Sequence, residues 1–267
     1  MSIEKIEDRV YLKSSLLDNS DITHFFTTKA GGYSTGKISG LNLGFRVGDE
    51  HETVRKNYMQ ISQDFDIPFE RIIAAKQTHS DFVRIVTDEE AGFGVERLEK
   101  TFESDGLVTN CMNLPIMVFY ADCVPILMFD QSAGVVAAVH SGWRGTVSKI
   151  AEKAVLVMQQ KFGASPGNIK AAIGPSIGKC CFETGKEVAC NFEKDLVCDL
   201  NNGKFKVDLW EANKRILLNS GLLAQNIDVL RMCTMCHSDL LYSYRVDGDK
   251  TGRMGALIMI KNRMPKD

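Results

Sequence analysis

No block of lysines and arginines interrupts this 267-residue chain, in which 32 basic residues face 34 acidic ones. Nucleic acid is therefore an unfavoured partner, because its recognition needs clustered positive charge. No apolar run reaches the ~20 residues that a membrane span requires. The opening stretch, MSIEKIEDRVYLKSS, is charged throughout and lacks the apolar segment of a secretory signal, so a cytoplasmic location is expected. There is no internal repeat, no low-complexity tract and no long linker. Histidine is scarce: His24, His51, His79, His140 and His237 complete the set.

The rest of the composition is that of an ordinary globular protein, 44% hydrophobic and 25% charged. The length suffices for a sizeable core, and residues 1–267 are expected to form one domain. Eight cysteines need an explanation. In a reducing compartment they are buried thiols, metal ligands or catalytic groups rather than disulfides.

Apolar periodicity supplies the elements. Asp49 and Glu52 have capping-box spacing, and Val54, Tyr58, Ile61 and Phe65 follow at helical intervals. Segments 72–76, 82–87, 115–123, 126–130 and 134–140 read as strands. Thr146 is placed to cap a helix running to Phe162, with Gly163 as its stop. IKAAIGP reads as a short strand, and Asp208 with Glu211 opens a helix ending near Gly221. IDVLRMC and MGALIMI read as closing strands. Helices are interspersed, yet strands often adjoin by tight turns, which favours an α+β layered sandwich over a parallel α/β fold.

Two of these strands end on residues that packing does not require. Cys123 closes PIMVFYADC and His140 closes GVVAAVH, while His79 sits in the turn KQTHSD. Residues at strand ends can converge without straining any element. A His, Cys, His set suits zinc, and also copper, and three protein ligands leave a fourth position open for chemistry. Single strand-end histidines are also common as structural residues. After His140 the corner SGWRGT brings Gly142, Gly145 and Arg144 together before a helix start, where an anion could be held; a solvated arginine in a tight turn is the alternative. CTMCH has the spacing of covalent haem attachment, but no export signal accompanies it. A structural zinc on Cys180, Cys181, Cys233 and Cys236 competes with free thiols, and adjacent cysteines chelate one ion awkwardly, so free thiols are expected. DLLYSYRVDGDKTGRMG gathers Tyr244, Arg245, Asp247 and Arg253 into a loop that could wall a substrate site or simply connect two strands.

Taken together, the stretches HFFTTKAGGYS, LNLGFRVGD, KQTHS, ESDGLVT, ADCVPILMFD, VHSGWRGT, AAIGPSIGKCCFE and CTMCHSDLLYSYRVDGDKTGRMGALI resemble the YfiH-like family, also called laccase-domain or peptidoglycan-editing-factor proteins. The similarity covers residues 24 to 260. It implies one domain in which helices flank two packed mixed sheets, an α-β-β-α sandwich. It implies metal ligation by His79, Cys123 and His140, the same trio the residue types suggest. It also implies phosphorolysis of purine nucleosides (adenosine, inosine, methylthioadenosine), with adenosine deamination and phenol oxidation as further activities. The partners would then be a small nucleoside and phosphate.

The residues favour the nucleoside chemistry. Five histidines cannot supply both a copper entry site and a trinuclear copper cluster, so a multicopper oxidase is disfavoured, although copper could bind the same three ligands. Hydrolysis of a peptidoglycan precursor is the alternative from another class. Within a zinc-dependent phosphorylase, Arg46 and Arg144 are candidates to hold phosphate. Asp122 is a candidate acid/base or support for its neighbouring ligand, or a strand-end carboxylate that bonds backbone. Cys181 is a candidate nucleophile, and Asn42, Gln77, Glu183 and Arg245 are candidate substrate contacts.

Overall fold

A computed structural model describes residues 1–261. Two six-stranded mixed sheets stack face to face. The first runs, edge to edge, Ser2–Ile6, Arg9–Lys13, Ile22–Thr27, Met254–Ile260, Ile116–Tyr120 and Ile73–Ala74. The second runs Ile227–Val229, Lys170–Ile173, Val124–Asp130, Val135–Ser141, Gly106–Thr109 and Val83–Ile85. Most neighbours are antiparallel; Ile73–Ala74 beside Ile116–Tyr120, Val83–Ile85 beside Gly106–Thr109 and Lys170–Ile173 beside Ile227–Val229 are parallel.

Side chains alternate across a strand, so a strand between two apolar layers must be apolar on both faces. The strand Val124–Asp130 sends Leu127 and Phe129 into the layer between the sheets, where they meet Val118, Ala256 and Ile258. Its Ile126 and Met128 face the other way, onto Ala154, Val155 and Met158 of the helix Ile150–Phe162. On the outer face of the first sheet, Phe25, Met117 and Leu257 pack on Val54, Tyr58 and Ile61 of the helix His51–Phe65. Three apolar layers between four structural layers make the expected α-β-β-α sandwich.

Several local expectations are revised. Ile116–Tyr120 and Val124–Asp130 lie in different sheets, and residues 121–123 are the crossing between them. Cys123 therefore sits in a bend rather than at the end of a strand. Thr146 does not cap the helix to Phe162. A short helix Trp143–Val147 comes first, and Lys149 at φ +57° separates it from Ile150–Phe162. Thr146 instead bonds back to the Gly142 carbonyl at 3.0 Å. Asp49 forms no capping box, because one of its oxygens accepts from Ser34 at 2.6 Å and Asn42 at 2.8 Å. Asp208 does cap its helix, accepting from the Glu211 N–H at 3.0 Å. The closing segment IDVLRMC is strand only over Ile227–Val229. A third sheet of Glu183–Thr184, Phe205–Val207 and Val197–Asp199 was not foreseen, since strands this short carry no readable alternation. Among the described residues, no helix is long and apolar enough to cross a membrane.

Candidate metal centre and the cavity above it

His140 lies in the strand Val135–Ser141, paired across the ladder with Pro125. Cys123 stands at the start of the partner strand, just beyond the Val124–Ser141 pair. The loop after Ile73–Ala74 carries His79 to the same corner at φ +58°, a left-handed conformation that a side chain of this size rarely holds without support. The support is Asp105. Its buried carboxylate accepts the N–H groups of Thr78 at 3.1 Å, His79 at 3.0 Å and Ser80 at 2.7 Å. The same carboxylate lies 2.8 Å from His140 Nδ1. One acid thus fixes the backbone of one histidine and the ring of the other.

The ligand atoms of His79, Cys123 and His140 all lie within 4.8 Å of one another. The two imidazoles meet edge to face with centroids 5.0 Å apart. With Nδ1 of His140 committed to Asp105, its Nε2 is the nitrogen left to face an ion; a carboxylate behind a ligating histidine is the usual way to set the tautomer. Gly142 makes this closeness feasible. A Cβ there would stand 3.1 Å from Cys123 Sγ and 3.2 Å from His79 Cδ2. The donor set, its spacing and the glycine opposite it fit a soft or borderline divalent ion with one position open.

The electrostatics agree. Burial alone would push the Cys123 thiol up, but the His140 charge and hydrogen bonds from both histidines outweigh it and bring it down to about 6. Burial would likewise lower His140, yet the Cys123 thiolate and Asp105 raise it to about 9. Asp105 is held well below the usual carboxylate range: burial opposes ionisation, and the bonds from His140 and Ser80 overcome it. Without an ion the corner is a thiolate–imidazolium pair resting on a carboxylate. The thiolate is the form that binds metal.

A cavity of about 590 Å³ opens over this corner. Phe45, Phe119 and Phe182 form apolar wall, and Arg46, Arg245 and Arg253 bring positive charge. Arg253 is half-buried and donates to the carbonyls of Thr251 and Gly252 at 2.9 and 3.1 Å. Among the described residues no carboxylate pairs with it. A half-buried guanidinium that faces a cavity, in salt-bridge contact with no described carboxylate and with the charges of Asp122 and Asp249 acting on it from beyond that reach, is placed to receive an anion.

The structure brings some expected site residues here and leaves others out. Arg46, Gln77, Asp122 and Arg245 line the cavity with the three ligands. Gln77, however, spends its amide on the backbone of Phe119, donating at 2.8 Å and accepting at 2.6 Å. Asp122, at φ +90°, accepts from the Thr234 hydroxyl at 2.5 Å and the Arg245 N–H at 2.7 Å. Arg144 is exposed, lies outside the cavity lining and rests on the Trp143 ring at 4.4 Å. Asn42 is fully buried and staples its own loop, bonding Gly44, Asp49 and the Arg253 N–H. Glu183 and Cys181 are also outside the lining; the Glu183 carbonyl holds the Arg245 guanidinium at 2.9 Å, and Cys181 faces Cys236 at 3.4 Å. Asp105 is the residue that the sequence did not single out for a role in the site, whereas Arg253 belongs to the loop already read as a candidate substrate wall. Asp105 lies in a quoted motif, ESDGLVT, but an acid after serine carries no signal until the fold shows what it touches.

Residues 23–261 match the family model described as multi-copper polyphenol oxidoreductase laccase. A protein of Bacteroides thetaiotaomicron named purine nucleoside phosphorylase is 35% identical over 97% of this chain and 99% of its own length. A protein from an unknown prokaryotic organism named adenosine deaminase RL5 is 35% identical over 86% of this chain and 90% of its own length. The crystal structure of the hypothetical protein YfiH of Bacillus licheniformis superposes with a TM-score of 0.91 at 30% identity, covering 97% of this chain and 99% of that one.

Proposed function

Since the chain belongs to the laccase-like family described by that model, we propose that it is a purine nucleoside phosphorylase with zinc at His79, Cys123 and His140. The observation that carries the reading is the cavity itself: an open-sided ligand trio under three arginines and three phenylalanines. Phosphate needs fixed positive charge, which Arg46, Arg245 and Arg253 offer. A purine needs a flat apolar wall, which Phe45, Phe119 and Phe182 offer. The relatives named purine nucleoside phosphorylase support the substrate class.

In phosphorolysis a phosphate oxygen bonds to C1′ of the ribose, the C1′–N9 bond breaks, and the purine leaves with the electron pair and takes up a proton. The arginines hold phosphate on one side of the sugar and offset the charge that two anionic fragments bring together. Asp105 keeps His79 and His140 in place during turnover. Asp122 acts by position: its two oxygens already accept from Thr234 and the Arg245 N–H, so it fixes the segment that presents Arg245. A bound zinc would supply Lewis-acid charge at the open position. The same donors also suit copper. The multicopper route lacks ligands, because His24 is buried against Ser14 and only two histidines reach the cluster.

Adenosine deamination is the second reading. The relative named adenosine deaminase favours it, and so does an open position beside a cavity sized for a nucleoside. The test is incubation of inosine and of adenosine with and without phosphate. Phosphorolysis gives hypoxanthine or adenine only with phosphate; deamination gives inosine from adenosine without it. Inosine left intact with phosphate by a metal-loaded protein would falsify the phosphorylase reading.

A further inference from the structure

A second cluster of ligating side chains lies outside the cavity lining, and the function described above does not use it. Cys180 and Cys181 end the turn that follows residues 176–178, and Cys233 stands just before, and Cys236 within, the turn over residues 234–240. The four sulfur atoms all lie within 4.8 Å of one another. Cys236 Sγ stands 3.6 Å from Cys180 Sγ and 3.4 Å from Cys181 Sγ. Four thiolates around one zinc, each with a bond of about 2.3 Å, form a tetrahedron whose edges are about 3.8 Å. The cluster has that size. It does not have the size of a disulfide, whose sulfurs stand about 2.05 Å apart.

The surroundings match a closed metal site. The Gly178 N–H donates to Cys233 Sγ at 3.3 Å, as backbone amides do to ligating thiolates. The His237 N–H bonds the Cys233 carbonyl at 3.0 Å and closes the Cys233–Cys236 segment into a turn that aims both sulfurs one way. Lys206 donates to the Cys180 carbonyl at 2.7 Å and brings positive charge beside four sulfurs that would carry net negative charge once an ion is bound. The adjacent pair, Cys180 and Cys181, does not prevent convergence: both sulfurs reach Cys236 from the same turn.

We infer that Cys180, Cys181, Cys233 and Cys236 form a four-thiolate site for a structural zinc ion. The site cross-links two loops that build one wall of the cavity. Ile177 and Phe182, on either side of Cys180 and Cys181, line that cavity. Thr234, between Cys233 and Cys236, holds Asp122 at 2.5 Å. An ion here pins the wall without touching substrate.

The test is metal analysis of protein purified without added metal, together with cobalt substitution. The probe variant is His79→Ala with Cys123→Ser, which removes the other ligand set. It is expected to keep one zinc per chain and, loaded with cobalt, to show strong sulfur-to-cobalt charge-transfer absorption. Adding Cys236→Ser, an exposed position, should lower that absorption and cut cobalt affinity at least tenfold while the far-ultraviolet circular dichroism is unchanged. Cys236→Ser alone should retain the ion bound at His79, Cys123 and His140. A folded His79→Ala/Cys123→Ser variant that holds no zinc and binds cobalt without thiolate absorption overturns the inference. So does metal-free protein, purified without reductant, in which peptide mapping finds Cys180, Cys181, Cys233 and Cys236 joined as two disulfides, four hydrogens lower in mass.

Discussion

Two clusters of soft ligands lie in this chain, and they are built in opposite ways. His79, Cys123 and His140 sit where the two sheets meet, at the mouth of a cavity, and a buried carboxylate fixes two of the three. Cys180, Cys181, Cys233 and Cys236 sit on two loops, with only Cys233 buried and with backbone amides rather than an acid behind them. The first set has three donors and space beside them. The second has four and none to spare. Three held rigidly leave a position for substrate; four closed around an ion leave only a cross-link. The difference lies in what supports the ligands as much as in their number.

Removing that support is the most damaging way to break the contrast. Asp105→Ala leaves three N–H groups and the His140 ring without their acceptor in a buried site. Loss of a partner in such a network costs about 3–5 kcal/mol, and the thermal midpoint should fall by roughly 10 °C for a chain of this size. Turnover should vanish as well, and Asp105→Asn should recover part of the stability. A midpoint unchanged in Asp105→Ala would mean that the strand ladder alone holds the corner.

His79→Ala should separate chemistry from folding. The ring is exposed, so its loss should shift the midpoint by only a degree or two, while phosphorolysis drops at least a hundredfold. Differential scanning fluorimetry beside a hypoxanthine assay reads both.

The metal-free state gives a pH test. Cys123 is brought down from an ordinary 9.0 to about 6, so its alkylation by iodoacetamide should rise through pH 6 and level off above pH 7. His140 runs the other way: its raised value means that its contribution to stability is complete below 6.5 and is lost as the pH rises through about 9. His140→Gln should return the Cys123 alkylation midpoint toward that of an ordinary thiol. A midpoint near pH 9 in the metal-free wild type would show that the pair does not form.

Smaller effects sort the arginines. Arg245→Ala should raise the KM for phosphate about tenfold, equivalent to ~1.4 kcal/mol of lost binding, with kcat reduced less. Arg144→Ala should change neither constant by more than twofold, since that guanidinium lies on Trp143 outside the cavity lining. Initial rates over a phosphate series distinguish the two.

Much of this contrast was legible in the sequence, but only where residue type and period carry information. Runs such as PIMVFY and GVVAAVH announce strands apolar on both faces, and helical spacing from Val54 to Phe65 announces a covering helix. The layered sandwich follows from these. The trio stood out because histidine is scarce. Asp105 did not, because nothing in ESDGLVT distinguishes an acid that will accept from a loop brought close only by folding. The place of Asn42 was illegible for the same reason: a loop asparagine looks alike whether it touches a ligand or, as the structure has it, its own loop. The cap expected at Asp49 failed because Ser34 and Asn42, distant in sequence, reach it. The four thiols looked awkward as neighbours in sequence and converge only when the two loops meet.

One measurement tests the central claim, that the open-sided cluster under the arginines performs phosphorolysis. Inosine and phosphate are incubated with the metal-loaded wild type and with His79→Ala, and the products are followed by phosphorus nuclear magnetic resonance and chromatography. The account predicts one ribose 1-phosphate for each hypoxanthine in the wild type and neither in the variant. Hypoxanthine accompanied by free ribose, or formed equally well by His79→Ala, would contradict it.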